Sequence, residues 1–144
     1  MEVSRQTREL ERSRHSESLL RLLIDSLPAF ISYVDSEQRY VLANVLYREF
    51  FGVDKIIGRK ISEVLGDEAY QRVRTYIEAA LLGTRQSCEY ALSHAGKTRD
   101  LKAIYVPHIE RGKVVGIFIL GIDITEQKRL ELRLAKEATE TKSE

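Results

Sequence analysis

The chain has 144 residues, 43% of them hydrophobic, which is enough apolar material for one domain with a single core. Its 23 basic and 22 acidic residues give a net charge of +1, and this balance provides no argument for binding nucleic acid or an anionic membrane. The single cysteine, Cys88, excludes an internal disulfide and a cysteine-based metal cluster, and fits a reducing compartment.

The first 26 residues predict a helix that is polar over most of its length. Residues 1–17 carry almost no apolar side chains, and MEVSRQTREL is not a signal peptide. Pro28 ends the helix, because the residue before a proline disfavours helical geometry. No apolar run is long enough to span a bilayer, so we expect a cytoplasmic domain, with any membrane anchor of a parent protein outside this chain. Late in the helix an apolar stripe develops at helical spacing, formed by Leu20, Leu23, Ile24 and Leu27.

The middle of the chain predicts a β-hairpin followed by several helices. The β-rich runs AFISYVD and RYVLAN flank the polar turn DSEQ. Asn44 precedes VLYREFFG and is a favourable N-cap for a short helix. The clearest helix is DEAYQRVRTYIEAALLG, which ends at Gly83. We interpret Glu63, Asp67 and Glu68 as a solvated face and the first turn of that helix.

Three further strands, CEYALS, DLKAIYV and VVGIFILGID, are separated by the glycine-containing turns HAGKT and HIERGK. Strands at both ends with helices between them predict an α+β fold with an antiparallel sheet. Both alternating sets of residues 115–122 are apolar, so both faces of the last strand should be covered. The central helices can cover one face, and the leucine stripe of the first helix is the available partner for the other.

The element order and the closing motif GIDITEQK resemble the PAS domain, a sensory module of bacterial signalling proteins. The resemblance runs from about Leu19 to Lys128 and includes SLPAFISYVD, YVLAN, GRKISEVLG and YVPH. It implies a PAS fold, in which a five-stranded antiparallel sheet carries helices on one face, flanked by N-terminal and C-terminal signalling helices. The expected parts are an amphipathic dimerisation helix over 1–26, the sensory domain over 27–125 and a linker helix over 126–144.

Two turns depart from the family pattern. Gln38 stands where many relatives have a turn glycine, and HAGK is one residue tighter than the usual hairpin. The shorter hairpin leaves open which way residues 88–94 face.

The tail KEATETKSE resembles the approach to the phospho-accepting helix of sensor histidine kinases. This implies a two-component kinase core downstream in cis, with the chain itself not an enzyme. No P-loop, GxGxxG, HExxH or GxSxG motif is present. The alternatives are a PAS domain of a diguanylate cyclase or phosphodiesterase, and a ligand-free PAS dimerisation module.

The resemblance also assigns a signalling junction. In PAS proteins the end of the last strand couples strain to the helix that follows, and here this junction is Asp123, Ile124 and Thr125. Thr125 can cap that helix from the residues alone.

A parallel homodimer is expected because one chain would leave two apolar surfaces in water. The leucine stripe is one of them, and pairing it with the outer sheet face would hide both. That face is formed by Phe118, Leu120 and Ile122.

The residues at the family's flavin- and haem-binding positions argue against flavin photochemistry and against a histidine-ligated haem. Photosensory relatives have a reactive cysteine where this chain has Ile61, and a flavin-contacting glutamine where it has Gly121. Haem-binding relatives use a histidine on the long central helix, and residues 68–82 contain none. We therefore predict no cofactor.

No metal site is expected either, because the histidines are scattered and such ligands normally come with close partners. They are His15, His94 and His108. Cys88 lies in a β run, and we interpret it as a small apolar residue rather than a redox switch.

The resemblance finally implies a pocket for an unidentified small ligand between helices and sheet. Tyrosine hydroxyls beside the small residues Ala103 and Gly121 would supply a few polar groups in an apolar cavity. A fully packed core with satisfied tyrosines is the alternative. The residues expected to point inward are Ser32, Leu42, Leu101, Ala103, Tyr105, Ile117 and Ile119 from the sheet, and Tyr47 and Tyr76 from the helices.

Overall fold

The computed structural model describes residues 2–52 and 56–143. Helices and strands follow one another in the predicted order. They are α1 (Glu2–Ser26), β1 (Ala29–Asp35), β2 (Tyr40–Ala43), α2 (Val45–Phe51), α3 (Ile61–Leu65), α4 (Asp67–Leu81), β3 (Gln86–His94), β4 (Lys97–Glu110), β5 (Lys113–Asp123) and α5 (Thr125–Ser143). None of these helices is long and apolar enough to cross a membrane.

The strands form one antiparallel sheet in the order β2-β1-β5-β4-β3. The predicted α+β class and the five-stranded antiparallel sheet are therefore confirmed. The strands β3, β4 and β5 run longer than the sequence pattern suggested. Ala95 and Gly96, and likewise Arg111 and Gly112, both have positive φ angles, so each pair makes a tight two-residue turn and pairing continues up to it.

The core lies between one face of the sheet, here called the inner face, and the helices α2, α3 and α4. Val73, Ile77 and Ala80 of α4 are completely buried, because their spacing of four and three residues places them on one side of the helix. From the sheet, Val34 and Ile117 are equally buried. This inner core explains why the last strand needs apolar residues on one face.

Most of α1 extends away from this core. Residues 4–23 are all exposed in the single chain, including Leu20 at 61% and Leu23 at 55%. The leucine stripe therefore does not cover the outer face of its own sheet, where Phe118 remains 50% exposed. A helix this polar gains little stability by itself.

The end of α1 is held to the core by Asn44. The residue occupies the N-cap position of α2, yet its side chain makes no cap bond, contrary to the prediction. Instead its amide nitrogen donates to the carbonyls of Ile24 (2.8 Å) and Ala29 (2.7 Å), and its oxygen accepts from the Ile31 N–H (3.1 Å). The cap comes from α1, where Asp25 Oδ1 accepts a 3.0 Å hydrogen bond from the N–H at the start of α2.

Replacing Asn44 with alanine should lower the free energy of unfolding by about 2–3 kcal/mol, because three backbone groups lose their partner at roughly 1 kcal/mol each. Urea unfolding of the full chain measures this. Asp25→Ala is the matched control, since it removes one cap bond at a cost of about 1 kcal/mol. If both variants lost the same free energy of unfolding, the larger stabilising contribution proposed for the Asn44 hydrogen bonds would be wrong.

Candidate ligand cavity and signal junction

A cavity of about 30 Å³ lies between α2–α4 and the inner face of the sheet. This is room for about one water molecule. Its lining combines aliphatic side chains, aromatic rings and four tyrosines. The lining residues are Phe30, Tyr40, Tyr47, Phe51, Ile61, Leu65, Val73, Ile77, Tyr90, Leu92, Leu101, Ala103, Tyr105, Ile119 and Gly121.

Most of the residues predicted to point inward do so. Five of them line the cavity: Tyr47, Leu101, Ala103, Tyr105 and Ile119. Ser32 is buried next to them and shares a 2.9 Å hydrogen bond with the Tyr47 hydroxyl. Ile117 is completely buried in the same core but does not line the cavity.

The predicted inward position of Leu42 is wrong. A β-bulge between Tyr33 and Val34 shifts the pairing of β1 with β2, so Leu42 lies opposite Tyr33 on the outer face. Its expected place is taken by Tyr40, which is 2% exposed and lines the cavity. Alternation along a strand predicts facing only while the register stays regular, so the sequence pattern could not reveal this exchange.

Tyr76 also lies outside the cavity lining. It is half-buried and packs against the core, while Val73 and Ile77 of the same helix reach the cavity. Val73 and Ile77 are four residues apart and therefore share one face of the helix. Tyr76 precedes Ile77 by one residue and so points to the side of that face.

The facing of residues 88–94 is settled by the tight turn at Ala95 and Gly96. His94 pairs with Lys97, and counting back along the ladder brings Tyr90 opposite Leu101. Cross-strand partners lie on the same face, so Tyr90 points inward with Leu101 and lines the cavity. Reading HAGK as a two-residue turn would have identified Tyr90 from the sequence.

Burial keeps the tyrosine hydroxyls around the cavity protonated. Burial raises the pKa of Tyr47 to about 12, although its hydrogen bonds to Ser32 and Tyr40 oppose this. Burial also raises the pKa of Tyr105 strongly, and that of Tyr90. Burial raises the pKa of the Cys88 thiol too, and its Sγ lies 4.0 Å from the Tyr105 hydroxyl. None of these groups is set up as a nucleophile or a base at neutral pH.

A second, open space lies on the outer side, between α1 and the sheet. This outer groove has a volume of about 1100 Å³. Its apolar walls come from the leucine stripe and from an aromatic group on the sheet, in which Tyr33 packs on Phe118 and hydrogen-bonds His108 Nδ1 at 2.6 Å. Gly116 lies under the Tyr33 ring, where an added Cβ would come within 2.2 Å of the hydroxyl oxygen. The stripe contributes Leu20 and Ile24, and the remaining apolar lining comes from Leu22, Ile31 and Leu42.

At the signal junction, hydrogen bonds join the start of α5 to β4. Asp123 Oδ1 accepts from the Thr125 N–H (2.9 Å) and hydroxyl (2.5 Å), and Asp123 Oδ2 is 3.4 Å from Arg99 Nε. The Thr125 hydroxyl oxygen accepts from the Asp100 N–H (2.9 Å), and the Asp100 carbonyl accepts from the Ile124 N–H (2.8 Å). Thr125 therefore ties the helix to the sheet rather than capping it as predicted, and Asp123 supplies the local turn.

The histidines lie apart in the structure. His94 packs against the Phe51 ring, His108 against Tyr33, and His15 lies on the exposed part of α1. Within residues 2–52 and 56–143, no three His, Cys, Asp or Glu side chains are grouped so that they could hold a metal ion.

Comparison with known proteins gives matches over most of the chain. The virulence sensor protein BvgS of Bordetella bronchiseptica is 34% identical over 151 positions, which cover 94% of this chain and 12% of that protein. The Bordetella pertussis BvgS is 31% identical over 147 positions, with the same coverage. This chain thus spans only a small part of the curated relatives it matches.

Solved structures agree with these matches. The PAS domain of Bordetella pertussis BvgS has a TM-score of 0.61 and 29% identity, covering 88% of this chain and 98% of that domain. A PAS domain of an HTR-like protein from Haloarcula marismortui has a TM-score of 0.64 over 82% of this chain and 99% of that domain, and at 20% identity it shows the fold alone. The family model described as PAS fold matches residues 24–129. With its sheet, central helices and closing strand–helix junction inside that match, this chain belongs to the PAS family.

Proposed function

We propose that this chain is the sensory PAS module of a bacterial sensor histidine kinase of a two-component system, located in the cytoplasm and joined in cis to a downstream kinase core. In this proposal the inner cavity is the sensory site, and the junction at Asp123, Ile124 and Thr125 passes its state to α5. The related BvgS proteins are named virulence sensors, which supports a sensory role.

The observation that carries the proposal is the short connection from the cavity to α5. Leu101, Ala103 and Tyr105 of β4 line the cavity. Asp100, directly before Leu101, holds Thr125 and Ile124 by backbone hydrogen bonds. A shift of β4 that accommodates a change in the cavity therefore acts on the first turn of α5 through bonds of less than 3 Å.

The proposal includes a parallel homodimer. A single chain exposes the leucine stripe of α1 and, beside it, an outer face with Phe118 and Ile122 in water. Burying a large apolar side chain contributes about 1.5–3 kcal/mol, so pairing these surfaces between two copies gives a strong driving force. Leu120, half-buried between them, extends the same face.

A ligand-free dimerisation module is the second candidate, because the cavity of about 30 Å³ is nearly filled by its own side chains. In that case the chain would pass on rearrangements of α1 without binding a small molecule. A PAS domain joined to a diguanylate cyclase or phosphodiesterase would use the same junction with another effector.

In the full-length parent, Asp123→Ala should change kinase output between inducing and non-inducing conditions while the domain still folds. The substitution removes the acceptor of the Thr125 N–H and hydroxyl, and such bonds contribute about 1 kcal/mol each. Autophosphorylation assays measure the output. Asp100→Ala is the matched control, because Asp100 holds α5 through its backbone, which the substitution keeps. Wild-type responses in the Asp123 variant would rule out the coupling role.

The dimer is tested by Leu20→Gln combined with Leu23→Gln. Both side chains are more than half exposed in one chain, so monomer stability should not change, whereas the dimer dissociation constant should rise at least tenfold. Sedimentation equilibrium gives this constant. Leu82→Gln, at an 87% exposed position away from α1 and the outer face, should leave it unchanged. A double variant that dimerises like the wild type would exclude this interface.

A further inference from the structure

The described residues around the cavity include no group that could neutralise a charged ligand. Of the lining residues in 2–52 and 56–143, none carries a formal charge at neutral pH, since their only titratable side chains are tyrosines. Bringing an ion between these apolar and aromatic side chains removes hydration without supplying a counter-charge, which is strongly unfavourable. The lining therefore favours uncharged molecules.

The hydroxyls around the cavity differ in how well they are already bonded. Tyr47 is satisfied by Ser32 and Tyr40. Tyr105 is 3% exposed, and within the described part of the chain its only hydrogen-bond contact is the Cys88 thiol at 4.0 Å. A thiol is a weak partner, so a buried phenol with this contact has hydrogen-bonding capacity left. Tyr90, opposite Leu101 on the same face, adds a second hydroxyl on this side of the cavity.

The size of the cavity limits the size of any ligand. A cavity of about 30 Å³ must widen before anything larger than water enters, and a benzene-sized ligand needs roughly 150 Å³. We place this widening at the helical wall, where α3 has only five residues and lies between Gly58 and Gly66, both with positive φ angles. Ile61 and Leu65 of α3 line the cavity. A single ring is therefore about the largest body that a modest movement admits.

We infer that the cavity takes a small uncharged molecule, no larger than one substituted ring, whose hydrogen-bond acceptor meets the hydroxyls of Tyr105 and Tyr90. This inference rests on the proposed sensory role of the cavity and names the class of ligand. The ring of the ligand packs against the aromatic side chains of the cavity. Its acceptor atom takes hydrogen bonds from the hydroxyls of Tyr105 and Tyr90, which the fold leaves weakly bonded.

The test uses three singly substituted benzene rings, measured by calorimetric titration of the full chain at pH 7.5. Benzamide is uncharged with an acceptor, benzoate is its charged counterpart, and toluene lacks the acceptor. Benzamide should bind at least tenfold more tightly than either of the others. Tyr105→Phe should weaken benzamide at least fivefold and leave toluene unchanged, because only the hydroxyl is lost. Tyr76→Phe, half-buried outside the lining, should change neither.

Benzoate binding as tightly as benzamide would overturn the uncharged class, and an unaffected Tyr105→Phe variant would overturn the role of its hydroxyl. Ile119→Ala enlarges the cavity and serves as a second variant. Binding to that variant alone, or to neither protein, would overturn the inference for the natural chain. The junction and dimer experiments are independent of these titrations, so failure here stays distinguishable from failure of the signalling role.

Discussion

The buried amide of Asn44 is the contact on which the arrangement of the flanking N-terminal helix depends. Asn44 is completely buried, and a buried amide is tolerated only when its polar atoms are bonded. It meets this requirement with the Ile24 carbonyl of α1 and with the Ala29 carbonyl and Ile31 N–H of β1. One side chain thus joins the end of α1, the first strand and the start of α2.

Both terminal helices are joined to elements that also form the cavity. Asp25 of α1 caps α2, and α2 carries Tyr47 of the cavity wall. At the other end, Asp100 precedes the lining strand segment of β4 and holds Thr125 of α5. Hydrogen bonds have narrow distance and angle requirements, so these contacts fix the ends of both helices relative to the cavity walls.

One face of the sheet is densely packed against helices, and the other is largely exposed. The inner face is filled almost completely, and its small cavity costs little stability, so the core can fold without a ligand. The outer face keeps Phe118 and Ile122 exposed beside a groove of about 1100 Å³. Water contact with this apolar surface is unfavourable, and this is the physical basis of the dimer proposed above.

The sequence by itself determined the element order and the antiparallel sheet, because these follow from local periodicity and turn residues. Most of the inward-facing residues were predicted through the resemblance of its motifs to the PAS family. Only the tertiary structure decided that Tyr40 replaces Leu42 in the cavity, since the bulge, with Val41 as the extra residue of β2, depends on strand pairing. It also decided that Asp25 caps α2 from 20 residues away. Hydrogen bonds between distant segments and the space left between packed side chains are properties of the assembled fold, and no local pattern specifies them.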